Sequence, residues 1–142
     1  KRTRKSRTGV IIFLNSAPIL WFSKKRNMVE TTTFGSKFVA LKIATEILRG
    51  LRYKLHMMGI PMAGPSYVYC DTKSVVMNAS APSSLLTKES NSISYQAVCW
   101  AVAADEIRVT HISSKANVAD VLTKPLPGGA KQDWLVSRVL HD

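Results

Sequence analysis

Acidic residues are scarce. Nine Asp and Glu stand against 20 Lys and Arg in 142 residues, a formal net charge of +11. No acid precedes Glu30, so the amino-terminal end is wholly cationic. Such an excess points to a polyanionic partner, because clustered cations gain from releasing the counterions of nucleic acid; a membrane surface is the other usual target. No run approaches the ~20 apolar residues of a spanning helix, and no secretory signal is visible, so no membrane partner is expected. Cysteine is equally sparse. Cys70 and Cys99 both lie in apolar stretches and are expected to be buried free thiols of an intracellular protein, cytoplasmic or nuclear, rather than a disulfide or metal site. A Gly-rich phosphate loop, a Gly-x-Ser-x-Gly nucleophile turn and a Cys-x-x-Cys pair are all absent, which removes the chemistries those patterns serve. His56, His111 and His141 show no ligand spacing with one another or with either cysteine.

What is present is enough for a core: 46% of the chain is hydrophobic, and the length suits one domain. Residues 1–8 are basic and polar and are expected to be an extended segment, with Arg4, Lys5 and Arg7 as candidate phosphate contacts. A chain opening on Lys1 without Met is expected to be a piece of something longer. From Gly9 onward the pattern reads as a domain. Val10–Leu14 and Ile19–Ser23, broken by Asn15-Ser16-Ala17-Pro18, predict a hairpin; Lys24 and Lys25 extend it as a second basic cluster. Thr31-Thr32-Thr33 are expected to cap a long helix over about 34–58. Leu41, Ala44, Leu48, Leu51, Leu55 and Met58 form its apolar stripe. Lys42, Arg49 and Arg52 fall off that stripe and should be exposed, and Gly50 would mark close packing against a sheet. Gly59-Ile60-Pro61 is the stop signal.

Downstream, Tyr67-Val68-Tyr69-Cys70 predicts a buried strand that ends on Asp71, followed by a short helix near Thr72–Met77 and a polar loop. Ile93–Ala104 predicts a helix and Glu106–Ile112 an alternating strand. Asn117–Lys124 predicts a short helix, and about 130–140 a basic tail helix. The three tryptophans, Trp21, Trp100 and Trp134, are expected to pack. The order is mixed α/β without a repeat.

Two acids stand apart. Asp71 ends an apolar strand, where open α/β sheets keep ligand and metal groups, although it would equally serve as an N-cap. Asp120 sits among Val118, Ala119, Val121 and Leu122. Two carboxylates held on apolar elements of a basic chain suggest a divalent ion facing phosphate, and Mg²⁺ suits one or two carboxylates plus substrate oxygens. An ordinary salt bridge would explain either acid.

Gly9–Lys25 with its Ala17-Pro18-Ile19-x-Trp21 closure, Phe38-Val39-Ala40-Leu41, Tyr69-Cys70-Asp71-x-x-Ser74 and Asn117-x-Ala119-Asp120-x-Leu122-Thr123-Lys124-Pro125-Leu126 occur in this order. Together they resemble the ribonuclease H domain of copia-type LTR retrotransposon polyproteins, which follows the reverse transcriptase. The resemblance implies an α/β, ribonuclease H-like mixed sheet of five strands with flanking helices. It implies two-metal hydrolysis of the RNA strand of an RNA–DNA hybrid, with Mg²⁺ or Mn²⁺ as cofactor. It also implies Asp71 and Asp120 as catalytic metal ligands. Arg4, Lys5, Arg7, Lys24, Lys25 and Lys42 are the candidate substrate contacts, and an upstream reverse transcriptase domain of the same polyprotein is an expected partner. The family's first-strand Asp would precede Arg4–Gly9, so the first strand is missing from this chain and open sheet is expected beside Val10–Leu14. The long-helix Glu position is occupied by Lys37, a cation where a metal-bridging carboxylate belongs. The expectation is therefore a truncated copy with impaired hydrolysis. The alternatives are a non-catalytic binding module for hybrid or duplex, or an unselected retroelement remnant.

Overall fold

Strand and helix alternate along the chain largely as apolar periodicity dictates. The computed structural model describes residues 7–25, 33–81, 89–123 and 128–139. The chain divides into two compact units, one made of residues 1–31 and 113–142 and the other of residues 32–112.

In the first unit, β1 (Arg7–Leu14) and β2 (Ala17–Lys25) form an antiparallel hairpin. The turn is only Asn15-Ser16, with Asn15 in the left-handed region at φ 55°, a conformation that Asn tolerates better than most residues. Pro18 lies inside β2, where the register slips between Ile12 and Phe13; a residue without an N–H fits such an irregularity. Thr8, Val10 and Ile12 are buried along one face of β1. A short 3-10 helix, Val118–Leu122, packs against β1. Its start is capped by Asn117, whose Oδ1 accepts from the Ala119 N–H at 3.1 Å. Five residues cannot complete two α-turns, which is why the helix predicted over 117–124 takes the tighter form. The helix α4 (Ala130–Val139) follows, with Leu135 fully buried.

In the second unit, α1 (Thr33–Met57) is the long helix. Its end follows the Gly-then-Pro signal closely. Gly59 is left-handed at φ 79°, its N–H donates to the His56 carbonyl at 2.9 Å, and the Ile60 N–H donates to Leu55 at 3.0 Å, the paired bonds of a Schellman motif. The strands β3 (Ser66–Cys70) and β4 (Ile107–His111) pair in parallel. Between them lie α2 (Lys73–Ser80) and α3 (Glu89–Ala103). The helices cover one face of this two-stranded sheet, and Phe38, Leu41, Val75, Ala79, Val98, Ala101, Ile107 and Val109 form a single core cluster. Phe38 is its centre, in ring contact with Phe34 at 5.3 Å and Tyr95 at 5.7 Å.

Several expectations are corrected here. The mixed α/β character stands, but the described residues form two separate two-stranded sheets rather than one five-stranded sheet. Among those residues β1 pairs with β2 alone. The strand β3 is not buried on both sides: Tyr67 and Tyr69 are 58% and 59% exposed. The stripe of α1 stops short of Met58, which is exposed because it lies past the helix end. Of the three cations expected on its solvent side, Arg49 is exposed while Lys42 and Arg52 are half-buried. Among the described residues a Cβ on Gly50 would meet nothing within 4 Å, and none of their strands packs there. Trp21 and Trp100 are exposed rather than packed, and Trp134, 39% exposed, lies under the Arg138 guanidinium at 5.4 Å. The Thr31 and Thr32 caps lie outside the described residues.

Candidate functional site

Asp71 is the first residue past β3, and the adjacent core fixes what it meets. Phe38 is locked in the core, so Lys37, one residue earlier on α1, emerges at the rim beside the end of β3. Its Nζ donates to Asp71 Oδ1 at 2.7 Å, with the two side chains 32% and 8% exposed. A buried carboxylate requires a charged or hydrogen-bonding partner, and a charge-assisted bond this short is a strong one. The Thr72 hydroxyl donates to the same Oδ1 at 3.3 Å. Thr72, rather than Asp71, occupies the N-cap position of α2, and its side chain makes no capping hydrogen bond. Burial pushes the neighbouring Cys70 thiol up; the Asp71 charge adds to this, while the backbone bond at Thr72 and the Lys37 charge oppose it.

This ion pair sets the terms on which Asp71 could meet a cation. A divalent ion bonded to Asp71 at about 2.1 Å would stand within a few ångströms of the Lys37 ammonium. Their repulsion at ~4 Å is about 8 kcal/mol at an effective dielectric of ~20, twice that of a unit pair. The ion pair and a bound metal are therefore competitors for one carboxylate. Among the described residues no three His, Cys, Asp or Glu side chains cluster as a metal site.

Asp120 belongs to the other unit. It is 3% exposed, within the 3-10 helix, and its carbonyl accepts from the Thr123 N–H at 3.1 Å and hydroxyl at 3.2 Å. The helix sits so close to β1 that a Cβ on Gly9 would fall 2.7 Å from Thr123 Cγ2 and 3.0 Å from the Ala119 carbonyl oxygen. The Ser23 hydroxyl also donates to the Leu122 carbonyl at 2.8 Å. The seat of Asp120 thus depends on a glycine that the sequence marked only as the start of a strand.

The candidate cations are split. Arg4 and Lys5 lie outside the described residues. Arg7 and Lys25 face each other across the hairpin, Lys24 stands opposite Thr8, and all three cations are exposed. Like charges directly opposite destabilise a strand pair; a bound polyanion would relieve that cost. Lys42 is held by Glu46 one turn along α1, at 3.5 Å. His111 is exposed at the end of β4. Reading the sequence missed Thr72 as a partner of Asp71; its adjacency in Asp71-Thr72 was the available signal.

No protein-family model matches the chain, and no solved structure matches it at a significant level. The chain is 27% identical over 129 residues, 91% of its length, to the retrovirus-related Pol polyproteins from transposons RE2 and RE1 of Arabidopsis thaliana. It is 27% identical over 125 residues, 87% of its length, to the corresponding polyprotein from transposon TNT 1-94 of Nicotiana tabacum. In each case it spans about 9% of the relative.

Proposed function

Starting from this kinship with the Pol polyproteins of copia-type retrotransposons, we propose that the chain is a ribonuclease H-type segment that engages RNA–DNA hybrid or duplex through its cations and whose two-metal hydrolysis is impaired. The observation that carries the reading is the 2.7 Å contact between Lys37 Nζ and Asp71 Oδ1. An internal ammonium satisfies the carboxylate that would otherwise recruit Mg²⁺ or Mn²⁺. Lys37 and Thr72 hold Asp71 in place, and Asp120 is the second acid of the motif set. The basic hairpin, with Arg7, Lys24 and Lys25, contributes phosphate contacts. The upstream reverse transcriptase of the same polyprotein is the proposed neighbour.

The test is cleavage of a labelled RNA–DNA hybrid with Mg²⁺ or Mn²⁺, alongside binding at graded salt. Expected are binding that weakens by about 0.9 log units per decade of salt for each duplex phosphate contacted, and little or no cutting. Robust cutting by the unmodified chain would overturn the impairment. Lys37→Glu supplies a second readout. Its melting temperature should rise on adding Mn²⁺ while that of the unmodified chain does not, because only the variant presents paired carboxylates.

A further inference from the structure

Among the described residues of this unit, α1, α2 and α3 pack on one face of the sheet β3–β4. Val68, Cys70, Ile107 and Val109 turn toward the core, so by alternation Tyr67, Tyr69, Arg108 and Thr110 occupy the opposite face. In register, Tyr67 stands beside Arg108 and Tyr69 beside Thr110. The two tyrosine rings lie 6.5 Å apart at an interplanar angle of 20° and are 58% and 59% exposed. We propose that this face is a stacking platform for single-stranded nucleic acid, with Tyr67 and Tyr69 taking bases and Arg108 taking a phosphate.

Three features favour that occupant. Bases in a stacked strand follow one another at about 3.4 Å, so rings whose centroids lie 6.5 Å apart along one strand match close to two such steps. Exposed aromatics on an open sheet surface are a recurring way to stack unpaired bases. They also cost little entropy to present, since a tyrosine in a strand has few rotamers. The charge agrees: Arg108 is a charged side chain on this face, in a unit whose 8 Lys and Arg exceed its 5 Asp and Glu. Its NH2 touches Asp105 Oδ1 at 3.5 Å, with both side chains well exposed. So long and solvated a pair contributes little and yields readily to a phosphate. The proposal is separate from the hydrolytic reading, because none of its residues touches Asp71 or Lys37 in the contacts described above.

The test measures fluorescence anisotropy of a labelled, unstructured oligonucleotide of about 10 nucleotides against the full chain. An abasic strand of equal length and an RNA–DNA hybrid run in parallel. Expected is a loss of about tenfold or more for the base-bearing strand in the Tyr67→Ala/Tyr69→Ala variant, while Tyr67→Phe/Tyr69→Phe keeps wild-type affinity. Binding of the abasic strand and the hybrid should be unchanged in both. Arg108→Gln should lower the salt slope by about 0.7, one single-strand phosphate. Any of three results overturns the platform: unaltered affinity in the double Ala variant, equal affinity of the unmodified chain for base-bearing and abasic strands, or a change confined to self-association, which would make the face a protein interface. Hybrid binding that fails while single-strand binding persists sinks the proposed function and leaves this one standing.

Discussion

The two compact units divide the labour of the sequence unevenly. Residues 1–31 and 113–142 hold 12 Lys and Arg against 4 Asp and Glu, a net +8; residues 32–112 hold 8 against 5, a net +3. The second unit has the contiguous apolar core. Among the described residues each unit has one aspartate with a buried side chain, and the settings differ. Asp71 meets a lysine brought from 34 residues away. Asp120 is placed by a 3-10 helix pressed onto a glycine. The lesson is that an acid among apolar neighbours states only that a carboxylate will be buried. Whether it is there for a metal depends on which charge the fold delivers to it, and for Asp71 that charge is an ammonium.

The sharpest way to break the comparison is to disturb the seat of each aspartate. Gly9→Val should destabilise the chain by about 3 kcal/mol, because the added carbons meet Thr123 and a backbone carbonyl and overpacking of this kind typically costs 1–3 kcal/mol. Thermal or urea unfolding measures it, and hydrogen exchange should show the loss of protection in 118–122. A neutral Gly9→Val would mean that the 3-10 helix seats Asp120 by other contacts. Lys37→Ala is the corresponding blow to the second unit. It leaves the Asp71 carboxylate buried without its cation, at a cost of roughly 2 kcal/mol for a lost charge-assisted bond. Lys37→Arg should restore part of it. An unchanged unfolding midpoint in Lys37→Ala would show that Asp71 does not depend on the pair.

Much of the fold was legible in the sequence because its signals are local. The hairpin follows from two β-rich runs around Asn15-Ser16, and the end of α1 from Gly59 and Pro61. The alternation of Ile107 and Val109 with Arg108 and Thr110 marked β4 correctly. What escaped depends on distant packing. A continuous run such as Tyr67–Cys70 does not reveal which face a sheet will leave open, so the tyrosines read as buried. The tryptophans misled for the same reason, since a large apolar side chain reports a preference and not a neighbour. The resemblance put Asp71 and Lys37 at one site, yet nothing in their local sequence pairs them, because the ion pair requires α1 and β3 to pack in three dimensions. The relation to Pol polyproteins came through because the spacing of short motifs is itself a local property.

Gly50 inverts the case of Gly9 and sharpens it at smaller scale. Nothing lies within 4 Å of the position its Cβ would take, and it sits inside a helix where glycine is entropically costly. Gly50→Ala should therefore stabilise the chain by about 0.5–1 kcal/mol, a higher unfolding midpoint with unchanged nucleic-acid affinity. Destabilisation would mean that something covers that face of α1.

The smallest expected effect lies at Cys70, beside the ion pair. Burial is the main cause that raises its thiol above the ordinary range, with the Asp71 charge adding to it. The folded state thus favours the protonated form. Its contribution to stability is fully present while pH is below the pKa of the unfolded thiol, and it is lost as pH rises through the higher folded value. A Cys70→Ser variant should therefore show a shallower alkaline loss of stability than the unmodified chain, and Lys37→Ala a thiol that ionises later still, since the lysine charge is one of the causes holding the shift down. Thiol ionisation followed by ultraviolet absorbance against pH, in a Cys99→Ala background, separates the two sites. A Cys70 that ionises earlier in Lys37→Ala would contradict the ammonium's place beside Asp71, and with it the contrast between the two buried aspartates.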